Sequence, residues 1–323
     1  TRSIWVTGVQ TCALPIGDSA APTQGTDTSG GDCNGSCAGA ASSLTAADVE
    51  LVLAQGIAEA RAQSVNATIA VVDRVGNVLA VYRMGTPSAR VVTLTTQAAP
   101  AVAAGLEGIR LPVAAAPVNI DQQAAIAKAI TGAYLSSEGN AFSSRTASQI
   151  VQEHFNPGEA FQPAGPLFGV QFSQLACSDF VRTFDGVGPS VGPQRSPLGL
   201  SADPGGFPLY RNGTVVGAVG VIADGVYGLD KNIADRDIDI DEAVAYAATF
   251  GFAAPVDRRA DRITVDGKTL RFSDVEFSQL RSTPASAPAF GTLAASVGSL
   301  IAVNGYFDGE IGRALYGDRK SVV

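Results

Sequence analysis

Asn212-Gly213 stands between LYR at 209–211 and TVVGAVGVI at 214–222, and few dipeptides restrict a chain more. A two-residue hairpin loop needs positive φ at both central positions, so Asn-Gly between two β-rich runs commits them to antiparallel pairing. An earlier pair of runs, 67–73 and 77–83 in ATIAVVDRVGNVLAVYRMG, flanks a short polar turn at Arg74–Gly76. A third, smaller hairpin is expected about Asp266-Gly267 in RITVDGKTLRF. Helices are expected between these hairpins. One runs from about Thr45 to Gln63, with Thr45 as N-cap, Asp48 and Glu50 in its first turn, and Val49, Leu53, Ile57 and Ala60 on one face. A second fits 121–135 with Asp121 at its start, and a third begins at Ser143 or Ser144 and runs to the Asn156-Pro157-Gly158 stop. A fourth follows the acidic run DRDIDIDE at about 239–250. The order α-ββ-α-α-ββ-α predicts an α+β domain, an antiparallel sheet with helices gathered on it. Residues 88–120 show no clear period, 157–208 read as a long Pro- and Gly-rich loop, and 275–317 as a low-charge extension.

The formal net charge is −8 with no Lys/Arg-rich run, which argues against a nucleic-acid partner. No apolar run approaches the ~18 residues of a membrane span. VTGVQTCALPI at 6–16 and DRKSVV at 318–323 look like translated arms of a sequencing adapter and are set aside from fold reasoning. The alternative for the first is a genuine apolar segment or the tail of a signal peptide. Residues 17–43 are rich in Gly, Ser, Thr and Asp and read as a flexible linker, a composition common ahead of exported domains. Within it Cys33 and Cys37 form C-x-x-x-C, which fits a local disulfide or no role, and neither covalent haem attachment nor a zinc site. Cys177 stands alone and is expected to be buried.

With a single histidine and a single methionine the chain has few soft ligands. His154, near the end of the third expected helix, shares a face with Ala147, Ile150 and Val151. It reads either as a C-terminal capping residue favoured by the dipole or as an axial ligand to haem iron. Met84, at the end of VYRM, reads as core filler or thioether ligand, and Tyr82, on the same strand face, as a half-buried aromatic or phenolate ligand. Arg145 and Arg195 suit carboxylates such as propionates, though most arginines are merely solvated. The acidic set Asp235, Asp237, Asp239, Asp241 and Glu242 lacks the Gly and distal Glu of an EF-hand loop and is read as helix N-terminal charge rather than a calcium or iron site. No phosphate loop is present, and a Ser or Cys nucleophile would have no histidine partner but His154, so a triad hydrolase is not expected.

The hairpin TIAVVDRVGNVLAVYRMG, the helix AIAKAITGAY, the loop-hairpin PGGFPLYRNGTVVGAVGVIADG and the helix start DIDEAVAYAATFGF occur in that order. Together they resemble the GlcG/HbpS haem-binding (haem-degrading) family over most of 44–256, with insertions near 88–120 and 156–203 and an extension over 257–323. The resemblance implies a profilin- or PAS-like fold with a five-stranded antiparallel sheet. It also implies non-covalent binding of haem b or another tetrapyrrole, a homo-oligomer, and a role as carrier, sensor-protein partner or slow, peroxide-dependent haem degrader. Export to the periplasm or beyond is expected with it. Lys128 and Thr131 fall in its helix motif, three apart and on one face. There they read as contacts to a haem edge or propionate, or as a snorkelling Lys and a back-bonded Thr. Gly205 and Gly206 fall in its Gly-Gly loop, either approaching a ligand closely or only making a tight turn. The alternative function is a non-catalytic interaction or assembly module holding another small ligand, or none.

Overall fold

The computed structural model describes residues 43–85, 91–94, 109–112, 120–153, 155, 161, 163–170, 172, 199–230, 232 and 235–301. His154, Arg195, Cys33, Cys37, Cys177 and both adapter-like ends lie outside them.

Helix α1 (Ala46–Ala62) starts where the side-chain pattern says it must. Thr45 accepts from the Asp48 N–H, and the Asp48 carboxylate reaches back to the Thr45 N–H in a capping box. Strands β1 (Thr68–Asp73) and β2 (Val78–Met84) make the first hairpin. The 88–120 stretch contributes β3 (Val91–Leu94) and β4 (Ile109–Pro112), which pair antiparallel. Helix α2 (Ile120–Tyr134) follows, then α3 (Ser144–Ile150), capped by Ser143. The third helix is shorter than the apolar spacing suggests. It closes at Ile150 with Val151 as C-cap, so the residues before His154 are a turn and a bend rather than a last helical turn.

Strands β5 (Gly206–Arg211) and β6 (Thr214–Ile222) form the Asn-Gly hairpin, with φ +50° at Asn212 and +75° at Gly213, as a type I′ turn requires. Strand β7 (Val226–Tyr227) runs parallel to β3 in the smaller sheet β4-β3-β7. Helix α4 (Ile240–Ala248) is N-capped by Asp239, and β8 (Thr264–Val265) and β9 (Lys268–Thr269) make the small hairpin. Helix α5 (Phe290–Val297) then delivers β10 (Gly298–Leu300).

The main sheet has the order β10-β2-β1-β6-β5 and every neighbouring pair is antiparallel. The fold is therefore an antiparallel five-stranded α+β architecture. Its outermost strand beside β2 comes from the C-terminal extension, where the sequence pattern gave no strand.

Alternation along the strands divides the core in two. Ile69, Val71, Tyr82, Met84, Phe207, Leu209, Val219 and Val221 belong to one apolar cluster with Val49, Val52, Leu53 and Ile57 of α1 and Val244 of α4. Ala70, Val72, Val81, Ala218 and Ile222 face α2 in the other. Each fully buried branched side chain contributes about 1.5–3 kcal/mol. Small residues let α2 lie close on the sheet. A Cβ at Gly220 would strike the Ala125 carbonyl, and one at Gly206 the Lys128 carbonyl. No helix among the described residues is long and apolar enough to cross a membrane.

Candidate functional site

The most concentrated chemistry lies where α2, the loop before β5, the turn after β6 and the start of α4 meet. Lys128 is flanked by alanines on both sides in the sequence and fully buried in the structure. A buried ammonium persists only with partners, and here it has two. Its Nζ donates to Asp241 Oδ2 at 2.5 Å and lies 2.5 Å from Asp203 Oδ2. The second contact is an ion pair, and the Lys128 ammonium is what Asp203 Oδ2 meets there. Asp241 is the better satisfied carboxylate, because its Oδ1 accepts from the Ala223 and Asp224 N–H groups at 2.6 and 3.0 Å. Asp203 Oδ1 accepts from the Gly228 N–H at 3.1 Å.

Two buried carboxylates share one cation. Burial and the charges on Asp241 and Asp239 raise the Asp203 carboxyl to about 8 against the pull of Lys128. Burial also raises Asp241. For Lys128 burial pulls downward, and the Asp203 and Asp241 charges more than reverse it.

A second buried cluster is built on Arg145 of α3. Its Nε donates to Glu242 Oε1 at 2.8 Å, and its Nη1 to Asp230 Oδ2 at 2.7 Å. Nη1 also lies 3.1 Å from Asp274 Oδ2 and 3.9 Å from Asp237 Oδ2. Nη2 is buried without a hydrogen bond. The second oxygen of Glu242 accepts from the Asp274 N–H at 3.1 Å, and burial raises its carboxyl to about 7. Arg271 contacts Asp274 Oδ1. Carboxylate oxygens of Asp230, Asp235 and Asp237 come within 4.8 Å of one another, but the Arg145 guanidinium already lies against that group. The acidic set thus divides: Asp239 caps α4, Asp241 and Glu242 hold the two buried cations, and Asp235 and Asp237 stay exposed.

A third pair fixes the start of α2 to the sheet. Arg83 of β2 donates from Nε and Nη2 to the two oxygens of Asp121, both at 2.6 Å, and the Thr68 hydroxyl donates to Oδ2 at 2.6 Å. Such a bidentate pair fixes geometry as well as energy. Asp121 therefore lies inside the first turn of α2, turned to the sheet.

The expected ligand-contacting residues do not converge. Tyr82 and Met84 are buried on the α1 side of the sheet, where the Tyr82 hydroxyl donates to the Ala294 carbonyl at 2.7 Å. Lys128 and Thr131 are across the sheet on α2. Thr131 Oγ1 donates to the Ala127 carbonyl at 2.8 Å and accepts from the Ser201 N–H at 2.7 Å. Gly205, at φ +107°, and Gly206 are pressed against Asp241 and the Lys128 carbonyl, so protein fills the space their missing side chains leave. Arg145 is hemmed in by four carboxylates. As arranged, these residues do not present an open face to a haem.

Asp203, Asp230 and Asp274 carry these clusters and have no motif of their own. The signal that could have found them is a charge in an apolar helix. Lys128 in AAIAKAITGA must meet a carboxylate, and the nearest acidic residue to the Gly-Gly loop is Asp203.

No protein-family model and no curated protein matches the chain. Among solved structures, it is similar to one described as the PduOC:heme complex, with 15% identity, a TM-score of 0.34, and coverage of 65% of this chain and 95% of that one. It is also similar to protein ORFY of Klebsiella pneumoniae, of family model DUF336, with 18% identity, a TM-score of 0.34, and coverage of 65% and 90%. At that distance neither carries an argument about function.

Proposed function

We propose that the protein binds haem or a related tetrapyrrole non-covalently, as a carrier, a partner of a sensor protein or a slow haem degrader. What supports this is the ordered set of four motifs of the haem-binding family. The hairpin β1–β2, the helix α2, the loop-hairpin β5–β6 and the start of α4 join into one sheet-and-helix unit, tied by Lys128, Asp203 and Asp241. One similar structure is described as a haem complex, which names the ligand to try first and nothing more. His154 is proposed as the iron ligand, since imidazole suits haem iron, and Arg195 as a propionate partner. Export and self-association belong to the same proposal.

A second reading, a non-catalytic interaction module, is favoured by one observation. Lys128, Thr131 and Arg145 are engaged by partners within the protein, and Tyr82 and Met84 are covered. A hemin titration followed in the Soret region, with His154→Ala in parallel, separates the two. A saturable change in the parent that is altered in the variant supports haem binding through His154. Saturation unaffected by the substitution moves the ligand elsewhere. No saturable change in either leaves the interaction module.

A further inference from the structure

The segment after the small hairpin contacts Tyr82 through Ala294 and Phe290 and pairs with Tyr82 and Met84 along β2, and its attachment is uneven. At one end it is clamped. Glu59 of α1, itself buried, accepts from the Arg281 N–H at 3.0 Å, the Ser282 N–H at 2.7 Å and the Ser282 hydroxyl at 2.6 Å. Burial alone would raise this carboxyl, but the bonds from Ser282 and Arg281, with Gln63 beside them, hold it below its ordinary value. Pro284 is buried in the 3-10 turn that follows.

At the other end the hold is slight. Helix α5 has no side-chain cap on Ala289, and Leu293 is its one buried residue, with Phe290, Ala294 and Val297 packed half-buried against the core beside it. Strand β10 is three residues long and half-exposed or exposed throughout. What fastens it to β2 is the short register Gly298–Met84 to Leu300–Tyr82. Two flanking backbone bonds add to this, from Gly85 N–H to the Val297 carbonyl at 2.9 Å and from Ile301 N–H to the Val81 carbonyl at 2.8 Å. Beneath it lie a fully buried tyrosine, whose hydroxyl bonds to α5 through Ala294 and whose ring meets Phe290 edge-on at 5.7 Å, and the buried thioether of Met84.

A weakly held cover on a clamped hinge, closed over a phenol and a thioether, is the arrangement of a lid. We infer that residues 281–301 are a displaceable strap. With α5 and β10 swung away, the apolar side chains of α1 and β2 beneath them are uncovered, and these take the tetrapyrrole of the proposed function, with the Tyr82 hydroxyl freed from the Ala294 carbonyl to face it. This rests on the proposed function for the tetrapyrrole, and on the structure alone for the strap. The closed strap makes binding depend on the open fraction, so shifting that fraction shifts apparent affinity in proportion.

The test is Gly298→Val, whose added carbons would strike the Arg83 carbonyl and prevent β10 from docking. Glu59→Gln, which loosens the hinge from the far side of α1, is a second variant in case the first folds poorly. Amide exchange at Gly85 and Ile301 reports opening, and titrations with hemin and with the apolar dye anilinonaphthalene sulfonate report the uncovered face. The expected result is faster exchange at both amides, a new dye site, and hemin affinity raised about tenfold or more, with the gain lost on adding Tyr82→Phe. Faster exchange with neither dye nor hemin binding gained overturns the strap. So does unchanged exchange in both variants. Dye binding gained while hemin binds neither parent nor variant sustains the strap and counts against the tetrapyrrole alone.

Discussion

Replacing Lys128 with methionine is the sharpest perturbation of the polar core. Methionine fills much the same volume and keeps the helix, so the change removes a charge and little else. It leaves Asp203 and Asp241, which both lie 2.5 Å from Nζ, buried without a cation. Breaking a buried pair from one side costs about 3–5 kcal/mol, because the remaining charge is uncompensated. For a domain whose whole stability is about 5–15 kcal/mol this is severe, and at about 2–4 °C per kcal/mol it lowers Tm by roughly 6–20 °C. The loss has a pH signature. Asp203 and Asp241 become neutral in acid, so the penalty is larger at pH 8 than at pH 5. Adding Asp203→Asn removes one of the two stranded charges and returns part of the loss. Urea unfolding followed by circular dichroism at both pH values measures it. A loss under about 1 kcal/mol at both would mean that Lys128 is solvated and that the buried network is not what ties α2 to α4.

The remaining expectations concern the same framework. Stability of the parent should fall as pH rises from about 4 to about 8. Asp203 and Glu242 have folded values raised to about 8 and about 7, so the folded state binds more protons across that window. A Tm that rises steadily over that range would contradict the assignment. Glu59 has the opposite sign: its lowered carboxyl stabilises above its unfolded value of 4.5 and is lost in stronger acid, so amide exchange at Arg281 and Ser282 should quicken below about pH 4. Leu53→Ala, in the middle of the α1 face and fully buried, should cost about 2–5 kcal/mol in urea unfolding; a loss well under that range would mean α1 is not seated on the sheet.

Local signals were legible in the sequence. Thr45 and Asp48 announce the start of α1, Ser143 that of α3, and Asn212-Gly213 and Asp266-Gly267 turn where their φ preferences require. What was not legible depends on distance along the chain. Lys128 meets Asp241 across 113 residues, and no local pattern records such a meeting. The same holds for Glu59, whose partners lie 222 and 223 residues away. Strand β10 escaped notice because Gly298-Ser299-Leu300 is too short to alternate and pairs only because β2 offers an edge. The apolar spacing that Ala147 and Ile150 begin continues through Val151 and so predicts a longer third helix than the one that closes at Ile150. The acidic run before α4 predicts helix-end charge, a role Asp239 fulfils. Asp241 and Glu242 also neutralise two buried cations, a role visible only once α2 and α3 are in place.

The central claim is that the chain takes up a tetrapyrrole, and calorimetric titration of the full chain with hemin, then with iron-free protoporphyrin, tests it most directly. Tetrapyrrole uptake gives saturable heat with one hemin per chain and weaker binding of the iron-free ring, because a protein ligand to iron contributes to the hold. Heat that never saturates with either compound would contradict it and leave the fold as an interaction module.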